Sequence, residues 1–316
     1  MTEVSATGKY LGNHKSDIMS MALSPDGLLL ATGDYRGAAI KIWNCRTGNL
    51  MATLKPAAQT NPLGFSSVYC LAFSSDSQFL AAGIGETLQL WNLADFVTWS
   101  FTFDSEIASL AFDHRGTKIA CGTNVALLYD YREGYKERVF EGHRDYVISL
   151  AFSADDQLLA TGGEQEDGSL RLWHVNSGSC VVLLGVDRDP GNRISQIVFT
   201  PDRITLWAVE DMGIIHCFRI NDSNKVDEWD FSPVGMLAYL SPSTQYAAVV
   251  TYESNQLFLF DTSMKIQVAT LTPSELSPDL DLEAAPVHVV FNQNESQIAV
   301  GWGEQVFIWQ LVKQGV

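Results

Sequence analysis

The sequence predicts an all-β fold built from seven copies of one unit, and three observations carry that prediction. The stretch from Gly142 to Trp173, GHRDYVISLAFSADDQLLATGGEQEDGSLRLW, holds three short alternating runs, VISLAF, LLATGG and SLRLW, separated by Asp-rich and Gly-rich turns. That is the pattern of consecutive antiparallel strands. The first run recurs along the chain as MSMALSPDG, VYCLAFSSD, IASLAFDHR, VISLAFSAD, ISQIVFTPD, a degraded MLAYLSPST, and VHVVFNQNE. The third run ends each time on an aromatic residue: Trp43, Trp91, Tyr129, Trp173, Phe218, Phe260 and Trp309. Their spacing averages about 44 residues, the period of a four-stranded propeller blade.

One unit of this kind cannot bury both of its faces, so the copies must stack, and residues 1–316 are read as a single seven-bladed β-propeller of four-stranded antiparallel blades. The composition agrees with a large buried core: 46% of residues are hydrophobic and 18% charged, below the roughly 25% charged of ordinary domains. The net charge of −17 argues against a nucleic-acid surface, which needs a basic face. It favours a basic partner.

The N-terminus, MTEVSATGKY, has no apolar signal core, and the sequence has no unbroken apolar stretch long enough to span a membrane as a helix. A soluble, untargeted, cytoplasmic protein with no membrane association is expected. Cys45, Cys70, Cys121, Cys180 and Cys217 are odd in number and widely spaced, which suggests neither a disulfide framework nor a zinc site and fits a reducing compartment.

These units make the chain resemble the WD-repeat β-propeller family from about Thr7 to Leu311, on Gly142-His143, Ser24-Pro25-Asp26-Gly27, and the four terminal tryptophans. The departure is that no unit-terminal tryptophan keeps its Asp: Trp43 and Trp91 precede Asn, Trp173 precedes His174, and Trp309 precedes Gln310, whereas Tyr129 and Phe260 keep a following Asp. The resemblance implies that residues near 5 to 11 supply the outermost strand of the last blade. Pairing the termini removes an open sheet edge.

The resemblance also implies a buried structural hydrogen-bond chain of His143, Thr161, Asp167 and Trp173 in unit four. The chemistry suits each role, because Asp accepts, imidazole donates and accepts at once, and indole only donates. Unit one keeps His14, Thr32 and Trp43 but has Gly37 in place of the turn aspartate, so its chain is expected to be incomplete. Units five and six end in Phe218 and Phe260, which offer no donor, so apolar packing is expected to hold those blades.

No catalytic or metal motif is present: there is no HExxH, GxSxG, CxxC or glycine-rich phosphate loop ahead of a helix. Beyond His14 and His143, the histidines His114, His174, His216 and His288 fall in different units. No cofactor and no catalytic or metal residues are assigned. The function expected is that of a non-enzymatic protein–protein interaction scaffold. A propeller enzyme with an axial acid or metal site, and a purely structural subunit of a fixed complex, remain as alternatives.

In the resembled family the narrow face carries recognition, lined by residues near the start of each first strand and before the turn into the third. Carrying Tyr146, Ile148 and Glu166 of unit four onto the other units gives Asp17, Met19 and Arg36, then Ser67, Tyr69 and Ile84, then Glu106 and Ala108. Units five to seven give Arg193, Ser195 and Asp211, then Val234, Met236 and Glu253, then Ala285, Val287 and Trp302. From these, Asp17, Arg36, Tyr69, Glu106, Tyr146, Ile148, Glu166, Arg193, Asp211, Glu253 and Trp302 form an acidic ring dotted with aromatics, suited to a basic peptide or an arginine side chain.

Three long connections, 55–67, 185–193 and 272–286, enter the same face, and the last carries Glu275, Asp279, Asp281 and Glu283. The run YDYREGYKERVFEGH, with Tyr129, Tyr131 and Tyr135, reads as the turn and outermost strand of unit three, with an outer-edge docking strip as the alternative.

Overall fold

The structure is a computed structural model that describes residues 4–37, 39–56, 67–184, 193–222, 224–231, 236–251, 256–273, 276 and 286–313. It is an all-β propeller of seven four-stranded antiparallel blades, and the first strand in the chain, β1 (Val4–Asn13), belongs to the last blade. Blade one is β2 (Ile18–Leu23), β3 (Leu29–Asp34), β4 (Ile40–Asn44) and β5 (Leu50–Leu54). Blade two is β6 (Val68–Phe73), β7 (Phe79–Ile84), β8 (Thr87–Asn92) and β9 (Thr98–Thr102). Blade three is β10 (Ser109–Phe112), β11 (Lys118–Gly122), β12 (Ala126–Asp130) and β13 (Tyr135–Phe140).

Blade four is β14 (Val147–Phe152), β15 (Leu158–Gly163), β16 (Leu170–His174) and β17 (Cys180–Leu184). Blade five is β18 (Ile194–Phe199), β19 (Thr205–Glu210), β20 (Ile214–Arg219) and β21 (Lys225–Asp230). Blade six is β22 (Met236–Leu240), β23 (Tyr246–Thr251), β24 (Leu257–Asp261) and β25 (Ile266–Leu271). Blade seven takes β26 (Pro286–Phe291), β27 (Gln297–Trp302) and β28 (Gln305–Lys313) from the end of the chain, and its fourth strand is β1.

That last pairing closes the ring. It runs from Val4 against Lys313 to Asn13 against Gln305, with one irregularity between Tyr10 and Gly12. The termini therefore protect each other's edge, as the sequence led one to expect.

The core lies between blades rather than within them. Ala31, Ile40, Ile42 and Leu54 of blade one pack on Val68, Leu71, Leu80 and Trp91 of blade two, and Ala120, Leu128 and Phe140 of blade three on Val147, Leu159 and Trp173 of blade four. Fully burying each large apolar side chain contributes about 1.5–3 kcal/mol, so blade-to-blade contact is the main favourable term.

The innermost strands also interlock by a repeated bond near their starts. Ser20, Ser109 and Ser149 each donate a hydroxyl to the backbone of the next blade, at Val68, Val147 and Ile194, all at 2.7 Å. Each serine lies opposite a glycine of its own second strand. At Gly122 an added Cβ would stand 2.1 Å from both the Ser109 hydroxyl and the Val147 carbonyl. Close approach of neighbouring backbones requires glycine there. Because all first strands run the same way around the ring, the segments entering them and the turns between second and third strands share one face.

Candidate functional site

In blade four the hydrogen-bond chain is continuous. The Trp173 indole donates to Thr161 Oγ1 at 2.8 Å, Thr161 meets His143 Nε2 at 2.6 Å, and His143 Nδ1 meets Asp167 Oδ2 at 2.5 Å. The donors then run in one direction: indole, hydroxyl, imidazole, carboxylate. Burial works against ionisation of Asp167, but hydrogen bonds from His143 and Ser169 outweigh it and hold the carboxyl down at about 2. These four residues brace the blade and fix the loop that enters it.

Blade one corrects the expectation of an incomplete chain. Trp43 donates to Thr32 at 2.9 Å and His14 Nε2 meets Thr32 at 2.7 Å, while the other His14 nitrogen faces Asp34 Oδ2 at 3.4 Å. The carboxylate comes from the end of the second strand and not from the turn. Gly37 is needed beside it, since its N–H donates to Asp34 and a Cβ there would come within 2.9 Å of the carboxylate. The signal the alignment passed over was an aspartate three residues before Gly37, at the end of the second strand.

Blade five holds more than the apolar packing expected of it. Phe218 is buried, but so is His216, whose ring nitrogens lie 3.0 Å from Glu210 Oε1 and 3.0 Å from Glu228 Oε2. Glu210 occupies the register position of Asp34, each paired with the first residue of its blade's first strand. It meets an imidazole from the third strand in place of one from the entering loop.

On the shared face, Asp17, Glu106 and Glu166 are exposed, and Tyr69, Tyr146 and Ile148 are half-buried. The Tyr69 phenol is pushed above its ordinary value first by burial and next by the Glu106 carboxylate, with Tyr35 and Tyr146 adding to the effect against a hydrogen bond from Ser67. Groups from blades one, three and four thus act electrostatically on Tyr69 of blade two. Tyr35, which sequence reasoning passed over in favour of its neighbour Arg36, is 43% exposed, and the Arg36 guanidinium lies 5.7 Å from its ring centroid. Its signal was an exposed aromatic in the second-to-third-strand turn. The backbone fixes this corner: Tyr35 N–H donates to Asp17 O at 3.0 Å, and Ser67 donates to Tyr35 O at 2.5 Å.

Three ring residues behave differently from the expectation. Trp302 is 1% exposed and belongs to the apolar core between blades six and seven, so it offers no face to a ligand. Arg193 and Asp211 bond to each other, and Arg193 also reaches Glu164 of blade four at 3.3 Å. That pair ties two blades together. Burial raises the Asp211 carboxyl above the usual range in spite of Arg193, and Glu210 adds to the rise. Glu253, most of the three long connections, and the acids Glu275, Asp279, Asp281 and Glu283 lie outside the described residues.

The tyrosine run belongs to blade three as read: Tyr131 is buried and donates to Gly116 O at 2.6 Å, and Tyr135 opens β13 with 51% exposure. Among the described residues no group of three or more His, Cys, Asp or Glu could hold a metal ion. No helix there is long and apolar enough to cross a membrane.

Comparison with known proteins agrees with this architecture. Residues 6–44, 59–92 and 134–174 match the WD domain, G-beta repeat. The chain is 30% identical over 207 residues to the WD repeat-containing protein 26 homolog of Drosophila melanogaster, across 63% of this chain and 31% of that protein. It is 27% identical over 168 residues to the Periodic tryptophan protein 2 homolog of Dictyostelium discoideum, across 51% of this chain and 18% of that protein. It is 24% identical over 223 residues to Cell division cycle 20.5, cofactor of APC complex, of Arabidopsis thaliana, across 64% and 48%. In each case the match spans less than half the relative's length.

Proposed function

The chain is a WD-repeat β-propeller, and from that premise we propose that it is a non-enzymatic interaction scaffold whose face around Tyr69 holds a basic segment of a partner protein. The observation that carries this reading is the corner where exposed Tyr35 is fixed by backbone bonds to Asp17 and Ser67, next to half-buried Tyr69, whose phenol Glu106, Tyr35 and Tyr146 help to raise. Exposed Asp17, Glu106 and Glu166 and half-buried Tyr69 and Tyr146 come from blades one to four. Carboxylates accept guanidinium hydrogen bonds and aromatic rings stack on its plane. The net charge of −17 draws a basic segment toward the face at long range.

One relative's name describes it as a cofactor of a complex, which suits a role in assembly. All five cysteines are free thiols, which supports a cytoplasmic setting.

The test is affinity capture from lysate with the native chain and with the variant Glu106→Lys/Glu166→Lys. Both sites are exposed, so the fold should hold while bound partners are lost. Equal capture by the reversed variant would sink the proposal.

A further inference from the structure

Blade three has a cleft on its flank with blade two, of about 380 Å³. Its floor is apolar, made by Phe103, Val125, Leu127, Tyr129 and Val139. The register shows why the opening exists. Phe103 stands four residues before Ile107, as His143 stands four before Val147, and the register of the first two strands matches Ile107 to Val147. By the same register Cys121 takes the place of Thr161, and Tyr129 that of Trp173.

Three of the four bracing side chains have thus been exchanged, with Phe103 now packing edge-on against Tyr129 at 5.7 Å between centroids. The fourth has no counterpart. Blade four joins its second and third strands through residues 164–169, whereas blade three uses only Thr123, Asn124 and Val125. The short turn is closed by the Thr123 N–H and hydroxyl on Val125 O, at 2.8 and 2.9 Å. The volume filled elsewhere by a turn and its aspartate is open here.

The rim is acidic. Glu86, Asp104 and Glu141 are exposed, and none enters an ion pair among the described residues. Glu86 is placed beside the cleft by its carbonyl, which accepts the Phe103 N–H at 2.8 Å. One cation, Lys136, lines the cleft together with Asp104 and Glu141. A volume near the lower end of the roughly 300–1,000 Å³ range of ligand pockets suits one large side chain better than a whole metabolite.

We propose that this cleft is a second docking site, which takes a single aromatic side chain from a basic peptide segment of a protein partner. The aromatic ring seats on Phe103, Leu127 and Tyr129, and flanking Arg or Lys residues meet Glu86, Asp104 and Glu141. An apolar anchor inside a charged rim is the arrangement that concentrates binding energy in few residues. The inference goes beyond the Tyr69 face and shares no residue with its test.

The probe is a dye-labelled peptide, Gly-Arg-Lys-Gly-Phe-Gly-Arg-Lys-Gly, titrated against the intact chain by fluorescence anisotropy. The native chain should bind it saturably, and replacing the Phe by Ala should weaken binding about tenfold. Thr102→Trp, which sets a large side chain on the exposed end of β9 over the cleft, should do the same. Asn124→Trp, in the exposed turn, blocks the cleft from the other side and serves if Thr102→Trp lowers the melting temperature. Glu141→Lys should weaken binding and flatten its salt dependence, whereas Glu166→Lys, in blade four and outside the cleft, should leave affinity unchanged. Absence of saturable binding, equal affinity of the Phe and Ala peptides, or indifference to both Trp variants would overturn the proposal. A loss on Glu166→Lys instead would place the peptide at the Tyr69 face and equally overturn the cleft.

Discussion

Asp34 and Gly163 occupy the same register position in blades one and four, each paired with the first residue of its blade's first strand. In blade four the acid has moved on to Asp167, and a Cβ on Gly163 would come within 2.3 Å of that carboxylate. In blade one the acid is Asp34 and the glycine is Gly37. Two arrangements of one acid and one glycine deliver a carboxylate to the same imidazole nitrogen.

Asp34→Gly should therefore strip His14 of its acceptor and destabilise the protein by about 1–3 kcal/mol. Adding Gly37→Asp on that background should restore part of the loss, because the space next to position 37 has been vacated. Gly37→Asp alone should destabilise by crowding two carboxylates. Urea unfolding of the three variants checks the order.

Acid sensitivity should come in two stages. His288 is surrounded by protein atoms although part of its surface is reachable, and desolvation lowers its pKa from 6.5 to about 4. Its unfolded form then binds a proton that the folded form refuses, so stability is full above pH 6.5 and falls as pH drops toward 4, by at most about 1.4 kcal/mol per pH unit. Asp167, held at about 2 against 3.8 unfolded, contributes stability above pH 3.8 that is lost as pH falls toward 2. His288→Ser places there the residue that Ser20, Ser109 and Ser149 supply in other blades. It should flatten the upper stage and leave the lower one, as read by melting temperature from pH 7 to 2.

Removing residues 1–12 takes away most of β1 and leaves β28 as an open edge. Hydrogen exchange should then quicken first in β26 to β28, with blades three and four protected at the native level. Uniform loss of protection would mean the ring unfolds as one unit.

The two acids Glu166 and Asp211 should part company under charge reversal. Glu166→Lys changes an exposed side chain and should move the melting temperature little. Asp211→Lys sets a cation against Arg193 at a partly buried site and should cost stability, with Glu164 losing its bridge to blade five.

The sequence made the blades legible because strand alternation and a terminal aromatic repeat survive in every unit, even where Phe218 or Phe260 replaces Trp. Ring closure was legible too, since an unpaired edge at β28 demanded a partner. The acceptor of His14 was not, because alignment assumes that a role stays at its column and Asp34 moved off it. Trp302 was misplaced for a related reason: a strand-end column can point outward to the rim or inward to the next blade, and only packing decides. The cleft escaped notice because a short turn is a gap in an alignment, whereas in space it is an open volume.

The pairing of β1 with β28 sets how the ring yields to force. Val4 lies opposite Lys313, so both ends of the chain leave the seam at the same place. Tension applied through them loads the seam one residue pair at a time, as in pulling a zipper, rather than shearing all its bonds together. The propeller should open at low load by peeling β1 from the last blade, and six blades should still be standing when the belt comes undone.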